Sequence, residues 1–265
     1  MTDFPAAPPR DDNPATAAAR GGSRVLPVSR LDRCRVRQES TMAMNPEYRT
    51  YLNNEWNAGR LLRPGVALQQ LRAEPRKFLR TYPIQNNYDP AASGVYQVHL
   101  FNGGGGHRPG TVLRTQNLHA TQSFTLQGGI GQLGEGHPVW VHGLFTAAAN
   151  AAAPIVWYRL DANGPDLMVT AKLTGCTFVA RAVAGAPGSV DVAHIQPTVA
   201  ENGVQLNNRL AATAGQLTYG RNSYDITSRS INVIGVRVGG QWKIYAQKLD
   251  KHHFAIRSVH RIFPA

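Results

Sequence analysis

A chain of 265 residues can bury a core as one large domain or two small ones. Only 17% of its residues are charged, and 26 Gly with 17 Pro fit a loop-rich, mainly β domain better than a helical bundle. A net charge of +12 invites a nucleic-acid reading, but the excess is spread along the chain: +2 over residues 1–45, +4 over 46–82 and +6 over the remainder. Interleaved charges predict solubility and attraction to acidic partners, with no nucleic acid expected. No apolar run is long enough to span a membrane, and Met1 to Arg20 carries no apolar signal-peptide core. Two cysteines, Cys34 and Cys176, supply neither a disulfide framework nor a zinc site.

Residues 1–45 mix Ala, Pro, Arg and Asp without a helical or strand period, and such a segment cannot offset its chain entropy by burial. A disordered N-terminal arm is expected there. It serves as an uncleaved secretion leader, or it is an extension upstream of a true start at Met42 or Met44. Asn45-Pro46-Glu47 then opens a helix with an Asn cap and Pro at the first helical position. Tyr48, Tyr51, Leu52, Trp56 and Leu61 follow at helical spacing until Arg63-Pro64-Gly65 stops the run. Further helices are predicted over Val66–Arg72, Pro75–Tyr82 and, much later, Glu201–Leu210.

Between and after these the pattern is β. Strands are predicted over Gly94–Phe101, Pro138–Phe145, Pro154–Leu160, Leu167–Leu173, Thr177–Val183 and Val190–Ile195, punctuated by Gly, Pro and Asn. Ser230–Val238 and Gln241–Leu249 form a hairpin about Gly239-Gly240. The expected fold is α+β: one domain over 46–265, a central β-sandwich of mixed sheets with flanking helices, and the arm before it.

Most motif-like clusters reduce to structure. Gly103–Gly106 with His107 and Arg108 lacks the Gly-Lys-Ser/Thr of a phosphate loop and reads as a flexible hairpin loop. His137 and His142, five apart on a strand, face opposite ways and cannot share a metal. His252-His253 reads as solvated surface, and the four tryptophans default to core packing. No paired-carboxylate motif stands out among sixteen acids.

Leu167–Ala180, followed by a Gly/Pro loop and Val192-Ala193-His194-Ile195, is different. One reading is a β-hairpin holding a small buried cysteine. In the other, Gly175 lets the chain turn and a substrate approach the sulfur of Cys176, and the turn leaves backbone N–H groups for an oxyanion. The returning strand brings His194, the residue type that takes a thiol proton and later protonates a leaving amine. Residue types alone leave both readings open.

Leu173-Thr174-Gly175-Cys176 resembles the Leu-Ser/Thr-Gly-Cys motif of the family of glutamine deamidase toxins that includes cytotoxic necrotising factor and Burkholderia lethal factor 1, whose fold the chemotaxis-receptor deamidases share. Thr170, six residues before the Cys, and Tyr219-Gly220-Arg221 match further points of that pattern, while the Cys-to-His loop, Arg181 to Ser189, is longer here. The likeness spans roughly Pro154 to Arg221.

The resemblance implies a bacterial toxin or effector, a hydrolase that deamidates a glutamine of a host protein through Cys176, His194 and Thr170. Rho-type GTPases and translation-initiation helicases are the target classes it suggests. Cys176 is the implied nucleophile, activated by a protonated His194, with Thr170 holding the His194 ring and the Gly175 turn and Cys176 backbone N–H holding the oxyanion. It further implies a monomer, no metal or organic cofactor, no membrane span, signal-peptide-independent secretion and action in the host cytoplasm. The rivals are a transglutaminase, a cysteine peptidase or acyltransferase on the same pair, and a non-enzymatic basic β-sandwich. Cys34, without a His partner, is expected to be dispensable.

Overall fold

Proline starts the first three helices, α1 (Pro46–Asn57), α2 (Pro64–Ala73) and α3 (Pro75–Thr81), where its fixed φ and missing N–H cost nothing. The computed structural model describes residues 46–102, 122–128, 136–224, 229–250 and 255–265, all within one compact unit, Thr41–Ala265. The expectations for residues 1–45, Cys34, the Gly103–Gly106 loop and His252-His253 lie outside the described residues. A fourth helix, α4 (Gly203–Ala211), starts from a capping box: the Asn202 side chain accepts from the Gln205 backbone N–H, and the Gln205 side chain accepts from the Asn202 N–H.

The strands are β1 (Ile84–Asn86), β2 (Gly94–Asn102), β3 (Phe124–Gly128), β4 (His137–Leu144), β5 (Thr146–Ala148), β6 (Tyr158–Leu160), β7 (Leu167–Thr170), β8 (Thr177–Ala182), β9 (Val190–Gln196), β10 (Leu217–Tyr219), β11 (Arg229–Val238), β12 (Gln241–Asp250) and β13 (Ile256–Phe263). They form an eight-stranded sheet in the order β1-β3-β2-β4-β7-β11-β12-β13 and a five-stranded one in which β10-β8-β9-β5 run in order and β6 also pairs with β9. Both sheets mix parallel and antiparallel pairs. The α+β sandwich of mixed sheets is thus the fold.

Alternation sorts the side chains into layers. On β12, Trp242, Ile244 and Ala246 join Phe178, Ala180, Val190 and Val192 between the sheets. Tyr245 of the same strand faces the other way, packing with Leu68, Leu71, Phe78 and Leu79 of α2 and α3. Its neighbour Gln247, fully buried, donates to the Leu79 and Tyr82 carbonyls at 2.6 and 2.8 Å and accepts from Ile84 N–H at 2.8 Å. That side chain ties the end of α3 and the start of β1 to the sheet. On the far side, Leu206 and Leu210 of α4 cover Val179, Ala193 and Ile195.

Several boundaries differ from expectation. Leu61 lies beyond α1, and Pro154–Leu160 is strand only from Tyr158, with Val156 83% exposed. Trp242 is core, but Trp140 is 56% exposed on β4. The expected hairpin that returns from Cys176 to His194 is present as β8–β9, but Leu167–Leu173 lies outside it. β7 belongs to the eight-stranded sheet and β8 to the five-stranded one, and the chain crosses between them just after Leu173, which bridges Ile231.

Candidate functional site

Two crossings between the sheets build the site. At Phe145 the chain leaves β4 for β5, and at Thr174–Cys176 it leaves the β7 side for β8. In the eight-stranded sheet Leu144 pairs with Thr170; in the five-stranded one Thr146 pairs with His194. The Phe145 crossing therefore sets two threonines at one imidazole, Thr170 beside Leu144 on one sheet and Thr146 on the other. Nδ1 of His194 lies 2.6 Å from Thr170 Oγ1, reaching across from the facing sheet, and 3.0 Å from Thr146 Oγ1 on the neighbouring strand.

The hydroxyl of Thr170 also donates to the Leu144 carbonyl at 3.3 Å. With its proton engaged there, Oγ1 accepts from the ring, which assigns the proton to Nδ1 and the lone pair to Nε2. Nε2 is buried and has no hydrogen-bond partner. Such an orphan base inside a protein calls for an account.

Cys176 supplies one. His194 stands opposite Phe178, so Cys176, two residues earlier, shares its inward face as a diagonal cross-strand neighbour. Such neighbours typically sit about 7–8 Å apart, and long side chains bridge that span. No hydrogen bond joins the sulfur to His194. Cys176 packs in the intersheet core with Phe178 and Tyr224, 7% exposed. The Tyr224 hydroxyl donates to the Cys176 carbonyl at 2.6 Å, pinning the backbone under the sulfur.

The electrostatics correct one expectation. His194 is not a resting imidazolium: burial alone lowers its pKa to about 4, so it is neutral at pH 7. Burial raises the Cys176 thiol, and the Asp89 carboxylate adds to the rise, while backbone hydrogen bonds at Thr174 and Cys176 pull it back. The resting pair is a thiol and a neutral base.

Gly175 is less constrained than its motif position suggests. Its φ lies outside the left-handed region, and an added Cβ would meet only Pro197 Cγ at 4.0 Å. The constrained glycine nearby is Gly203, where a Cβ would stand 2.6 Å from the Gly175 carbonyl oxygen. Of Tyr219-Gly220-Arg221, Tyr219 is buried opposite Phe178, and Gly220 sits so close to Asn207 and Thr177 that no side chain fits.

No protein-family model matches the chain, and no curated protein does either. The site therefore rests on its own geometry. Among the described residues no cluster of His, Cys, Asp and Glu could hold a metal ion, and no helix is long and apolar enough to cross a membrane.

Sequence reasoning missed Thr146, Tyr224 and Asp89. Thr146 is visible only once β5 is paired with β9, and a three-residue strand leaves no period to read. Asp89 arrives from a loop fixed by Asn86, whose side-chain amide bonds both the Thr170 and Tyr88 carbonyls and whose oxygen accepts from Tyr88 N–H. Lys172 holds the same loop, donating to Asn87 Oδ1 at 3.1 Å.

Proposed function

We propose that this chain is a protein-glutamine deamidase, a hydrolase acting on a side-chain amide through Cys176, His194 and Thr170. The observation that carries the reading is the imidazole of His194, fastened at Nδ1 by two threonine hydroxyls while its orphan Nε2 lies on the face it shares with Cys176. Nε2 takes the thiol proton as sulfur attacks the amide carbon, and the oxyanion falls to backbone N–H groups at the Thr174–Cys176 turn. The tetrahedral intermediate collapses as His194 returns the proton to the amide nitrogen, which leaves as ammonia. Water, deprotonated by the same Nε2, then cleaves the thioester, giving glutamate and the free thiol. Nothing in these steps calls on a metal or an organic cofactor.

A host protein as substrate, a toxin or effector role and action in the host cytoplasm extend this proposal on the resemblance of Leu173–Cys176, Thr170 and Tyr219–Arg221 alone. The test is ammonia release, with peptide mass spectra, after incubating the protein with eukaryotic lysate. Wild type and Cys34→Ser should convert Gln to Glu, and Cys176→Ser should not. Conversion that survives Cys176→Ser, or none by wild type, overturns the reading. One observation favours a structural thiol instead: Cys176 is 7% exposed with its pKa raised. A sulfur alkylated only at the rate of global unfolding would select that alternative.

A further inference from the structure

A groove of about 460 Å³ runs between α3 and the β12–β13 pair, remote in the fold from the intersheet layer because it opens on the helix-covered face. Arg76, Lys77 and Arg80 of α3 line one wall and Lys243 of β12 the other. Arg261 pairs with Tyr245 across β12 and β13 and joins the same face. Glu74 is the one carboxylate in the lining, and Lys77 already pairs with it at 2.8 Å. Arg76, Arg80, Lys243 and Arg261 make no ion pair among the described residues. The buried Tyr245 forms part of the lining, and the charges of Arg261 and Arg76 both act on its phenol.

Like charges on one face with no ion pair among the described residues repel one another, so Arg76, Arg80 and Lys243 in the lining, with Arg261 beside Tyr245, invite an anion. Guanidinium groups suit oxyanions, which accept several N–H bonds at once. Nucleic acid fits less well. Single strands need exposed rings for base stacking, and the one aromatic side chain here is Tyr245, only 3% exposed. A duplex needs cations spread along a stripe. Here they converge on one groove.

We propose that this groove docks an acidic segment of a protein, and that, resting on the deamidase reading, this segment belongs to the substrate, which is thereby held by a second surface while its glutamine reaches Cys176. The test is independent of catalysis. Binding of a fluorescein-labelled oligoglutamate peptide is followed by anisotropy at low salt for wild type, Cys176→Ser, the double variant Arg76→Glu/Lys243→Glu, and a control double variant Arg60→Glu/Arg63→Glu with the same change in net charge. Thermal melts establish that each is folded.

The groove variant should weaken binding at least tenfold, while Cys176→Ser and the control stay within about twofold of wild type. Three results overturn the proposal: no binding by wild type, equal loss in the control (attraction to net charge alone), or an oligonucleotide of equal charge that binds more tightly and is lost in the groove variant. Failure here leaves ammonia release untouched. Failure of the deamidase test leaves the groove's binding of the acidic peptide standing, with only its role for a substrate lost.

Discussion

His142 and His194 occupy the same layer and look alike at first. Both are inward-facing and buried, with exposures of 4% and 1%, and both bond a hydroxyl through Nδ1: Tyr158 at 2.9 Å for His142, Thr170 and Thr146 for His194. They differ in what surrounds the ring. His142 packs edge-on to Trp242, and its pKa, lowered by burial, is partly restored by a backbone hydrogen bond at Pro165 and by the Asp161 carboxylate. His194 has burial and no offset. Both rings leave Nε2 buried without a hydrogen-bond partner and both are held below the ordinary imidazole pKa, but only His194 has a cysteine as its diagonal cross-strand neighbour, and that is what arranges it as a base.

Removing the thiol or either ring breaks the comparison most sharply. Cys176→Ser and His194→Asn should each lower ammonia release at least about a thousandfold, because nucleophile and base act as one unit. His142→Gln should keep activity within about threefold while losing about 1–3 kcal/mol of stability, through the unpaired Tyr158 hydroxyl and the altered packing on Trp242. Activity that follows His142 rather than His194 would reverse their roles.

The threonines come next. Thr170→Val removes the acceptor that fixes the Nδ1–H tautomer, and kcat should fall about ten- to a hundredfold with KM little changed. Thr170→Ser should restore most of it. Thr146→Val, losing the longer bond, should cost less, and the double variant should lose more than the product of the two, since each hydroxyl partly covers for the other.

What the sequence disclosed follows the length of the signal. The helix opened by Pro75 and the Gly239-Gly240 hairpin, whose glycines adopt φ of 59° and 76°, were legible because their punctuation is local, whereas Pro64, read as the stop of the first helix, opens α2 two residues before its expected start at Val66. β1, β5 and β10 were not, since three residues carry no period, and β13 was hidden by its run of Arg and His on a sheet edge. At the site, Thr170 and His194 were readable as residues and as a hydrogen-bonded pair. That they meet from two different sheets was not, because the crossing after Leu173 depends on pairing with Ile231, far along the chain. The charge state was missed for a related reason: sequence names a histidine near a cysteine, whereas burial decides which of them is charged.

That charge state sets the pH dependence of stability. The folded pKa of His194, about 4, lies below its ordinary 6.5, so between these values the unfolded chain binds the extra proton. Stability is complete above pH 6.5, falls as pH drops through the window, and levels off below about 4, with a total loss of about 3 kcal/mol from this group. Urea titrations at pH 7, 5.5 and 4 measure it. His194→Gln should flatten the acid limb, and His142→Gln should flatten it less, because His142 is partly compensated in place. Equal effects would erase the distinction between the two rings.

The smallest effect is the most discriminating. Asp89 is exposed, and its carboxylate raises the pKa of the Cys176 thiol, second to burial among the causes that raise it. Asp89→Asn should therefore move the pH profile of Cys176 alkylation toward acid, by less than about fivefold in rate at pH 7, the scale of a solvent-screened charge. If His194 is a neutral base that takes the proton during attack, turnover changes less than alkylation, because the resting thiol is protonated in both proteins. If instead sulfur works as a preformed thiolate, turnover rises in step with alkylation. Measuring both rates on the same two proteins separates the pair by mechanism, and only the first outcome leaves the orphan Nε2 of His194 with the task that distinguishes it from His142.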